Sequence, residues 1–322
     1  MSLRYQNPVW PGYFADPFVL RHGGDYFAYG TAETLERDAA GRAGAFKILR
    51  SRDLVSWQPA GFALEVPPER AGDAFWAPEV AEHAGRFHLF YSTAPAGEDA
   101  AHRLHVALAD QPIGPFRERG MVLPESVGFN IDAHPFRDPR DGTWYLFFAR
   151  DYFDGRAGTG LAVVPLNEDL GSARGEPITV LRANDDWQIY ERNRQHYGRT
   201  WPAWHTVEGP SVVAHAGRYY CFYSGGNWQT HDYGIGCAVA DHPLGPWRHG
   251  TPAGPVVLRQ VPGAVLGPGH NCVTAAPDGT AVLVYHAWDV ARTARRMCID
   301  PLRWTPEGPR CAGPTRGPRQ LR

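Results

Sequence analysis

The feature that most limits the possible folds is an internal repeat. Five segments share one plan, in which a turn with Pro or Gly precedes an apolar strand, a polar turn and a strand rich in aromatic residues. The polar turns contain Gly or Asp-Gly, which supplies the positive φ of a tight hairpin. A second strand pair follows each segment, so one repeat provides four strands. The five segments are residues 16–31, 77–93, 133–150, 209–225 and 269–287.

Five repeats of four strands predict an all-β fold, a five-bladed β-propeller with four antiparallel strands in each blade. The repeats extend through nearly all of the 322 residues without a low-complexity linker, so we predict a single domain over residues 1–322. The alternative is a β-sandwich whose hairpins resemble one another by coincidence. Five aligned aromatic strands favour the propeller.

Charge and hydropathy exclude several classes of partner. The chain has 32 basic and 34 acidic side chains, a net charge of −2, so no basic field attracts nucleic acid or acidic lipid. No run of about 18 apolar residues predicts a membrane span. The five cysteines follow no metal-binding spacing, and no signal-peptide pattern is present. These features indicate a cytoplasmic protein, or a secreted one whose signal peptide was removed, and they leave the oligomeric state open.

Acidic residues lie at the entrances of the first strands. In a propeller these strands line the central axis, so their first residues meet at one mouth of the channel. The repeats place Asp16, Asp132, Glu208, a carboxylate at or near Glu79, and His270 there. The two aspartates are also typical turn-capping residues, whereas glutamate is a poor one. We therefore predict one pocket in which several carboxylates and one imidazole face each other.

Converging carboxylates fit two kinds of site. Glycoside hydrolysis with inversion needs one carboxylate that activates water and one protonated carboxyl that protonates the leaving oxygen. A third carboxylate nearby raises the pKa of that acid by charge repulsion. Calcium binding also uses several carboxylates. The Pro and apolar neighbours of these acids favour hydrolysis.

The motifs that contain these residues resemble, as an ordered set, glycoside hydrolase family 43, whose members are five-bladed propellers acting on arabinan and xylan fragments. They occur in the family's order over nearly the whole chain, and the set is far more specific than any single motif. Related fructoside-cleaving propellers begin with a WMNDPNG-like segment, whereas this chain has GYFADPF. The motifs are ADPFVL (15–20), WAPEV (76–80), IDAHPF (131–136), VEGPSVV (207–213), GPGHNCV (267–273) and RRMCIDPLRW (295–304).

The resemblance implies a role for each acid. Asp16 would be the general base, Asp132 would orient the acid and tune its pKa, and Glu208 would be the general acid. No cofactor would be required. Members of the family often hold a calcium ion or a water cluster at the axis, and His270 would be the metal ligand here.

The resemblance also implies substrate-binding residues. Trp76 would form a wall of the pocket for the terminal sugar, or else be a buried blade aromatic. Arg295 would hydrogen-bond a sugar hydroxyl or a catalytic carboxylate; the alternatives are that Arg296 does so, or that Arg295 forms a surface ion pair. His270 would face the substrate or be a core histidine. His134, on the strand face of the second acid, is assigned to the substrate site, with simple packing as the alternative.

Residues 182–205 are predicted to form a long irregular loop. Its aromatic side chains suit either sugar stacking or packing of the loop onto the propeller. A loop that closes one side of the cleft favours an exo-acting α-L-arabinofuranosidase on small arabino- or arabinoxylo-oligosaccharides. The alternatives are a β-D-xylosidase, an endo-1,5-α-L-arabinanase and a lectin-like propeller without activity. The aromatic residues are Trp187, Tyr190, Tyr197, Trp201 and Trp204.

Overall fold

Five small sheets surround a central axis as the blades of a propeller, which confirms the predicted fold. The computed structural model describes residues 3–250, 254 and 257–321. The predicted domain over 1–322 includes positions outside these residues, and it stays a prediction. Each sheet begins with its innermost strand, and most strands follow outward in chain order because short hairpins connect neighbours.

The first half of the chain forms blades 1 and 2. Strand β1 (Arg4–Tyr5) precedes them. Blade 1 contains β2 (Ala15–His22), β3 (Asp25–Thr31), β4 (Glu36–Arg37), β5 (Ala43–Ser51) and β6 (Gln58–Glu65). Blade 2 contains β7 (Ala74–His83), β8 (Arg86–Ala94), β9 (Arg103–Ala109) and β10 (Arg117–Met121).

The remaining strands form blades 3 to 5. Blade 3 contains β11 (Asn130–Arg137), β12 (Trp144–Tyr152), β13 (Gly158–Pro165), β14 (Ile178–Leu181), β15 (Ile189–His196) and β16 (Arg199–His205). Blade 4 contains β17 (Val207–His215), β18 (Arg218–Gly225), β19 (Gly234–Ala240) and β20 (Arg248–His249). Blade 5 contains β21 (Leu266–Ala275), β22 (Ala281–Trp288), β23 (Arg295–Thr305) and β24 (Gly308–Cys311), and β25 (Arg319–Gln320) follows it. Short 3₁₀ helices are Pro68–Arg70, Asp99–Ala101, Glu125–Val127 and Asp186–Gln188.

Blades 2, 4 and 5 have the predicted four strands, whereas blades 1 and 3 have extra ones. A buried apolar cluster lies between each pair of neighbouring blades, so the core is divided into wedges around the axis. The aromatic strands seen in the sequence supply much of these wedges, because their side chains are large enough to fill the space between two twisted sheets. Members of the clusters include Ile48, Phe90, Phe147, Phe222 and Val284.

Residues 182–205 are not an irregular loop, and that prediction was wrong. They contain a 3₁₀ turn and the β15–β16 hairpin, which extends the sheet of blade 3. The hairpin turns at Tyr197 and Gly198, which both have positive φ values, 51° and 71°. Two consecutive left-handed residues make the turn that a two-residue hairpin favours. The sequence hides this turn because a bulky residue such as Tyr is uncommon in that conformation.

Three of the hairpin aromatics hold the hairpin in place within the protein, which agrees with the packing alternative, while sugar stacking stays a prediction. Trp201 and Trp204 are buried with Ala157 and hold the hairpin against blade 3, so these two rings pack. Tyr197 is exposed, and its hydroxyl donates to Asp151 Oδ2 at 2.6 Å. The hairpin is therefore fixed both at its base and at its turn.

A buried aspartate in blade 5 joins the two ends of the chain. Asp300 accepts hydrogen bonds from the hydroxyls of Tyr5 at 2.6 Å and Tyr285 at 2.7 Å, and from the Thr315 amide at 3.2 Å. Strand β1 pairs with β25 beside it. The two terminal segments are thus joined both by strand pairing and by one carboxylate that receives donors from each of them.

Replacing Asp300 by Ala is expected to lower the free energy of unfolding by about 2–5 kcal/mol, because two tyrosine hydroxyls would lose their acceptor in the interior. Urea unfolding of the wild type and the variant measures this difference. Asp300→Asn keeps one carbonyl acceptor and should lose less. Equal stability of the alanine variant and the wild type would contradict this account of how the two ends are joined.

None of the helices in the described part of the chain has the length and apolar character needed to span a bilayer. The five cysteines are free thiols. Four of them, Cys221, Cys237, Cys272 and Cys298, are buried in the strands where the sequence placed them. They serve as small apolar side chains between the blades.

Candidate active site

The inner strand of every blade contains a β-bulge near its start. At one bulge in each strand a residue has a left-handed backbone conformation, and four of these five residues are not glycine; β21 has a second bulge at Gly267 (φ 49°). Such positions cost about 1–3 kcal/mol each and cluster at functional sites. A bulge also redirects side chains, and here the five bulges surround one mouth of the axis. The residues are Asp16 (φ 49°), Ala77 (49°), Asp132 (58°), Gly209 (57°) and His270 (46°).

These bulges correct the alignment of the repeats. The sequence comparison placed Glu208 at the position of Asp16 and Asp132, but Gly209 occupies that position and Glu208 precedes it. Gly209 donates its N–H to Asp132 Oδ2 at 2.9 Å. A Cβ atom on Gly209 would lie 3.2 Å from His270 Nδ1, in a strained conformation. Gly209 therefore leaves room for the His270 imidazole, and the preceding residue, Glu208, supplies the acid of this blade.

The bulges surround a small pocket of about 160 Å³. Pockets for drug-sized ligands are about 300–1,000 Å³, so this one has room for a single small unit of a ligand. The three predicted acids lie together in it, with Trp76, His270 and Arg295. Its lining is Asp16, Trp76, Ile131, Asp132, Glu208, Trp228, Tyr233, His270 and Arg295.

Asp16 is held as a carboxylate. Its Oδ1 atom lies 3.3 Å from Arg295 Nη1 and 3.4 Å from His270 Nδ1. Burial alone raises the pKa of Asp16, but the positive charge of Arg295, together with His270, outweighs burial and lowers that pKa below its usual value. The side chain is thus ionised at neutral pH and able to accept a proton.

Asp132 and Glu208 show the opposite behaviour. Burial, and then the charge of Glu208, raise the pKa of Asp132 well above its usual value. Burial raises the pKa of Glu208 to about 7, with the charge of Asp16 adding to it. Because two nearby carboxylates resist simultaneous ionisation, this pair retains a proton near neutral pH. The pocket therefore contains one ionised acid, Asp16, and a pair of acids, Asp132 and Glu208, that retains a proton.

Tyr233 contacts Glu208 directly, and sequence reasoning missed it. Its hydroxyl donates to Glu208 Oε1 at 2.7 Å. Its buried ring lies parallel to the His286 ring at 5.9 Å, and a Cβ atom on Gly269 would overlap it. The tyrosine therefore occupies a closely fitted slot. It lies directly before β19, outside the inner strands, and the repeats therefore did not indicate it.

Arg295, and not Arg296, faces the pocket. Besides Asp16, it contacts the Tyr13 hydroxyl through Nη2 at 2.8 Å, and its guanidinium lies 4.4 Å from the centre of the Trp228 ring. Arg296 instead pairs with Asp289 at 3.0 Å. The alternative of a surface ion pair therefore describes Arg296, while Arg295 is buried beside the predicted base.

Trp76 is partly buried and lines the pocket, with its ring stacked on His102 at 3.6 Å. The histidine is fully buried, and burial lowers its pKa to about 3. A neutral imidazole behind the indole fixes the plane of the ring. The exposed face of Trp76 is thereby available to a ligand in the pocket.

His134 does not line the pocket, which corrects its assignment to substrate binding. The Val212 amide donates to His134 Nε2 at 2.9 Å, so the ring proton must be on Nδ1. This nitrogen lies 2.7 Å from Glu79 Oε2, to which it donates. Both ring nitrogens are therefore occupied by the protein. His134 and Glu79 connect three inner strands at the axis instead of contacting substrate.

The side chains near His270 offer few ligands for the predicted axial calcium ion. Calcium prefers six to eight oxygen atoms, whereas His270 offers a nitrogen that already faces Asp16. Among residues 3–250, 254 and 257–321, no group of three or more His, Cys, Asp or Glu side chains is arranged to hold a metal ion. The side chains of the described residues alone therefore do not fit such an ion.

Comparison with known proteins decides the family. The sequence pattern of the glycosyl hydrolases family 43 matches residues 5–309. The chain belongs to glycoside hydrolase family 43. Family 43 enzymes are inverting glycosidases, so this protein is a hydrolase of that class. The resemblance seen in the motifs is thereby confirmed.

Individual family 43 relatives differ in their named activities. The chain is 28% identical to the beta-D-galactofuranosidase xynD of Aspergillus niger, over 91% of this chain and 80% of that one. It is also 28% identical to an extracellular exo-alpha-(1->5)-L-arabinofuranosidase of Streptomyces chartreusis, over 88% of this chain and 82% of that one. The crystal structure of a thermostable family-43 glycoside hydrolase superimposes with a TM-score of 0.84 at 32% identity, covering 99% of both chains.

Proposed function

We propose that the protein is an exo-acting α-L-arabinofuranosidase that removes terminal arabinofuranosyl units from small oligosaccharides. The observation that carries the proposal is a single pocket, sized for one small sugar, that combines an ionised carboxylate with a protonated carboxyl pair. A pocket of this size favours a terminal sugar over an internal unit of a chain. The same chemistry also fits a β-D-xylosidase, so the sugar must be tested directly.

The named relatives favour a furanoside. One acts by its name on an α-L-arabinofuranoside and the other on a β-D-galactofuranoside. These two sugars share the configuration of the furanose ring and differ in the length of the exocyclic chain. A site that binds this ring in a pocket of about 160 Å³ favours arabinofuranose, the sugar with the shorter exocyclic chain. The proposal extends that reasoning to this chain.

In the proposed reaction, Asp16 accepts a proton from a water molecule as that water attacks the anomeric carbon. Glu208 donates its proton to the glycosidic oxygen as the bond breaks on the opposite side of the sugar. Asp132, whose Oδ2 atom accepts the Gly209 amide, shares this proton with Glu208 before the reaction, because the two neighbouring carboxyls resist simultaneous ionisation. Arg295 holds Asp16 in place, and Trp76 forms a wall beside the sugar.

A panel of nitrophenyl glycosides tests the choice of sugar. We expect release from the α-L-arabinofuranoside to exceed release from the β-D-galactofuranoside and the β-D-xylopyranoside. With α-1,5-linked arabino-oligosaccharides, arabinose should be the only early product because the pocket accepts one terminal unit. A preference for the xyloside would contradict the proposed sugar and indicate a β-D-xylosidase. Early release of longer fragments would contradict exo action and indicate an endo-acting enzyme.

Replacing Tyr233 by Phe tests how the acid is tuned. The pKa of Glu208 is about 7, so activity should fall above that pH as the acid loses its proton. The Tyr233 hydroxyl lowers this pKa by donating to the carboxylate, and therefore its removal should move the alkaline limb of the pH–kcat profile to higher pH.

The matched control is Tyr223→Phe, which removes a buried hydroxyl of the same blade that contacts His249 at 2.9 Å. Its alkaline limb should stay at the wild-type pH. An unchanged limb in the Tyr233 variant, with normal folding, would show that the tyrosine only fills space.

A further inference from the structure

We propose that the β15–β16 hairpin binds the sugar on the leaving-group side of the cleaved bond, with Arg194 as the contact residue and Tyr190 as the residue that positions it. This inference rests on the proposed function, because a leaving-group sugar exists only if the protein cleaves oligosaccharides. It adds a second binding site to the pocket that holds the terminal sugar.

The hairpin directly precedes β17, the strand that contains Glu208. Its second strand ends at His205, three residues before Glu208. The His205 amide donates to Ala157 O at 2.8 Å, and the Thr206 amide donates to Gln188 O at 2.7 Å. These bonds fix the base of the hairpin to blade 3 and thus set its position next to Glu208.

Tyr190 connects the hairpin to the rim of the pocket. Its backbone carbonyl accepts the Asn227 side-chain amide at 3.0 Å, and its hydroxyl donates to Gln229 Oε1 at 3.2 Å. Trp228, between these two partners in the sequence, lines the pocket. Tyr190 is thus bonded to both sequence neighbours of Trp228, a residue that lines the pocket. Its ring is half-buried at the rim of the pocket.

Arg194 lies over this ring with unused donors. Its guanidinium carbon is 4.6 Å from the centre of the Tyr190 ring and 5.5 Å from that of Trp204. In the part of the chain that the structure describes, its closest carboxylate oxygen belongs to Glu191 at 3.8 Å, which is too far for a hydrogen bond. Stacking therefore positions the guanidinium while its N–H groups remain available to a ligand.

The acid determines which part of a substrate reaches this surface. A general acid must lie within hydrogen-bond reach of the oxygen that it protonates, so the leaving sugar starts beside Glu208. Arg194 is near enough for its charge to oppose the effect of burial on the pKa of that acid. The Tyr190 ring packs against Trp201 and Trp204 and lies under Arg194, so it positions the guanidinium, which offers its N–H donors to the hydroxyls of a sugar. The site therefore fits a neutral, hydroxylated sugar unit.

The test compares two substrates that have the same terminal arabinofuranosyl unit and differ only in the leaving group. The wild type and Arg194→Ala are assayed with 4-nitrophenyl α-L-arabinofuranoside and with α-1,5-arabinotriose, below the alkaline limb of the pH profile. We expect Arg194→Ala to lower kcat/KM on the triose by about tenfold, the usual effect of one charged hydrogen-bond donor, and to leave the nitrophenyl substrate unchanged. Arg199→Ala is the matched control, since Arg199 stacks on Trp201 next to the hairpin turn; it should change neither substrate.

The outcomes separate this inference from the proposed function. Equal kcat/KM of Arg194→Ala and wild type on the triose, or equal losses on both substrates, would overturn the leaving-group site while arabinofuranosidase activity stood. A wild type that cleaves neither substrate would overturn the proposed function, and this inference with it. A selective loss on the triose in Arg194→Ala alone would support the site.

Discussion

Asp16→Asn is expected to reduce hydrolysis of every arabinofuranoside by about 10²–10⁴-fold, the usual contribution of a general base. An amide cannot accept the proton of the attacking water, so the loss should be the same for good and poor leaving groups. Initial rates with 4-nitrophenyl and oligosaccharide substrates measure it. Asparagine keeps the shape of the side chain beside Arg295, and the pocket should remain intact.

The matched control for this variant is Asp138→Asn. Asp138 is another buried aspartate, which accepts the Tyr219 hydroxyl at 2.7 Å and lies outside the pocket. Asparagine keeps that acceptor, so activity should be unchanged. Wild-type rates in Asp16→Asn would remove Asp16 from the proposed reaction.

Glu208→Gln is expected to produce a loss of similar size that depends on the leaving group. Glutamine cannot donate a proton to the glycosidic oxygen, so oligosaccharides should be cleaved about 10²–10⁴-fold more slowly. An aryl glycoside with a strongly acidic phenol needs no protonation and should keep much of its rate. The ratio of the two rates in one protein is an internal control for folding.

The pH profile adds a second measurement for the same variant. Because glutamine does not titrate, the decline in kcat near pH 7 that Glu208 is expected to cause should disappear. A uniform loss on all substrates with the alkaline limb retained would assign the acid role to another residue. A sugar-binding propeller without activity would show no turnover in either protein.

The sequence predicts the fold well because each blade repeats the same packing problem. Every repeat must bury an aromatic strand against its neighbour, and the turns recur with it, so the pattern is visible in the residues. The acids were found for a related reason, since inner strands converge on the axis in any propeller. Asp16 and Asp132 occupy equivalent bulges, as the repeats indicated.

What the sequence could not provide is information about contacts between distant segments. Glu208 is displaced by one residue because Gly209 must leave space for His270, a contact 61 positions away in the chain. His134 was misassigned because its partners Glu79 and Val212 belong to neighbouring blades. Tyr233 contacts Glu208 from the residue before β19, outside the inner strands. Bulges and side-chain bonds between blades therefore limit prediction more than strand formation does.

The measurement that tests the central claim most directly is ¹H NMR of the sugar first released from 4-nitrophenyl α-L-arabinofuranoside by the wild-type protein. Attack by water activated at Asp16, opposite the bond protonated by Glu208, predicts that β-L-arabinofuranose appears first and the α anomer only later by mutarotation. Initial release of the α anomer, or no release of arabinose at all, would contradict the account.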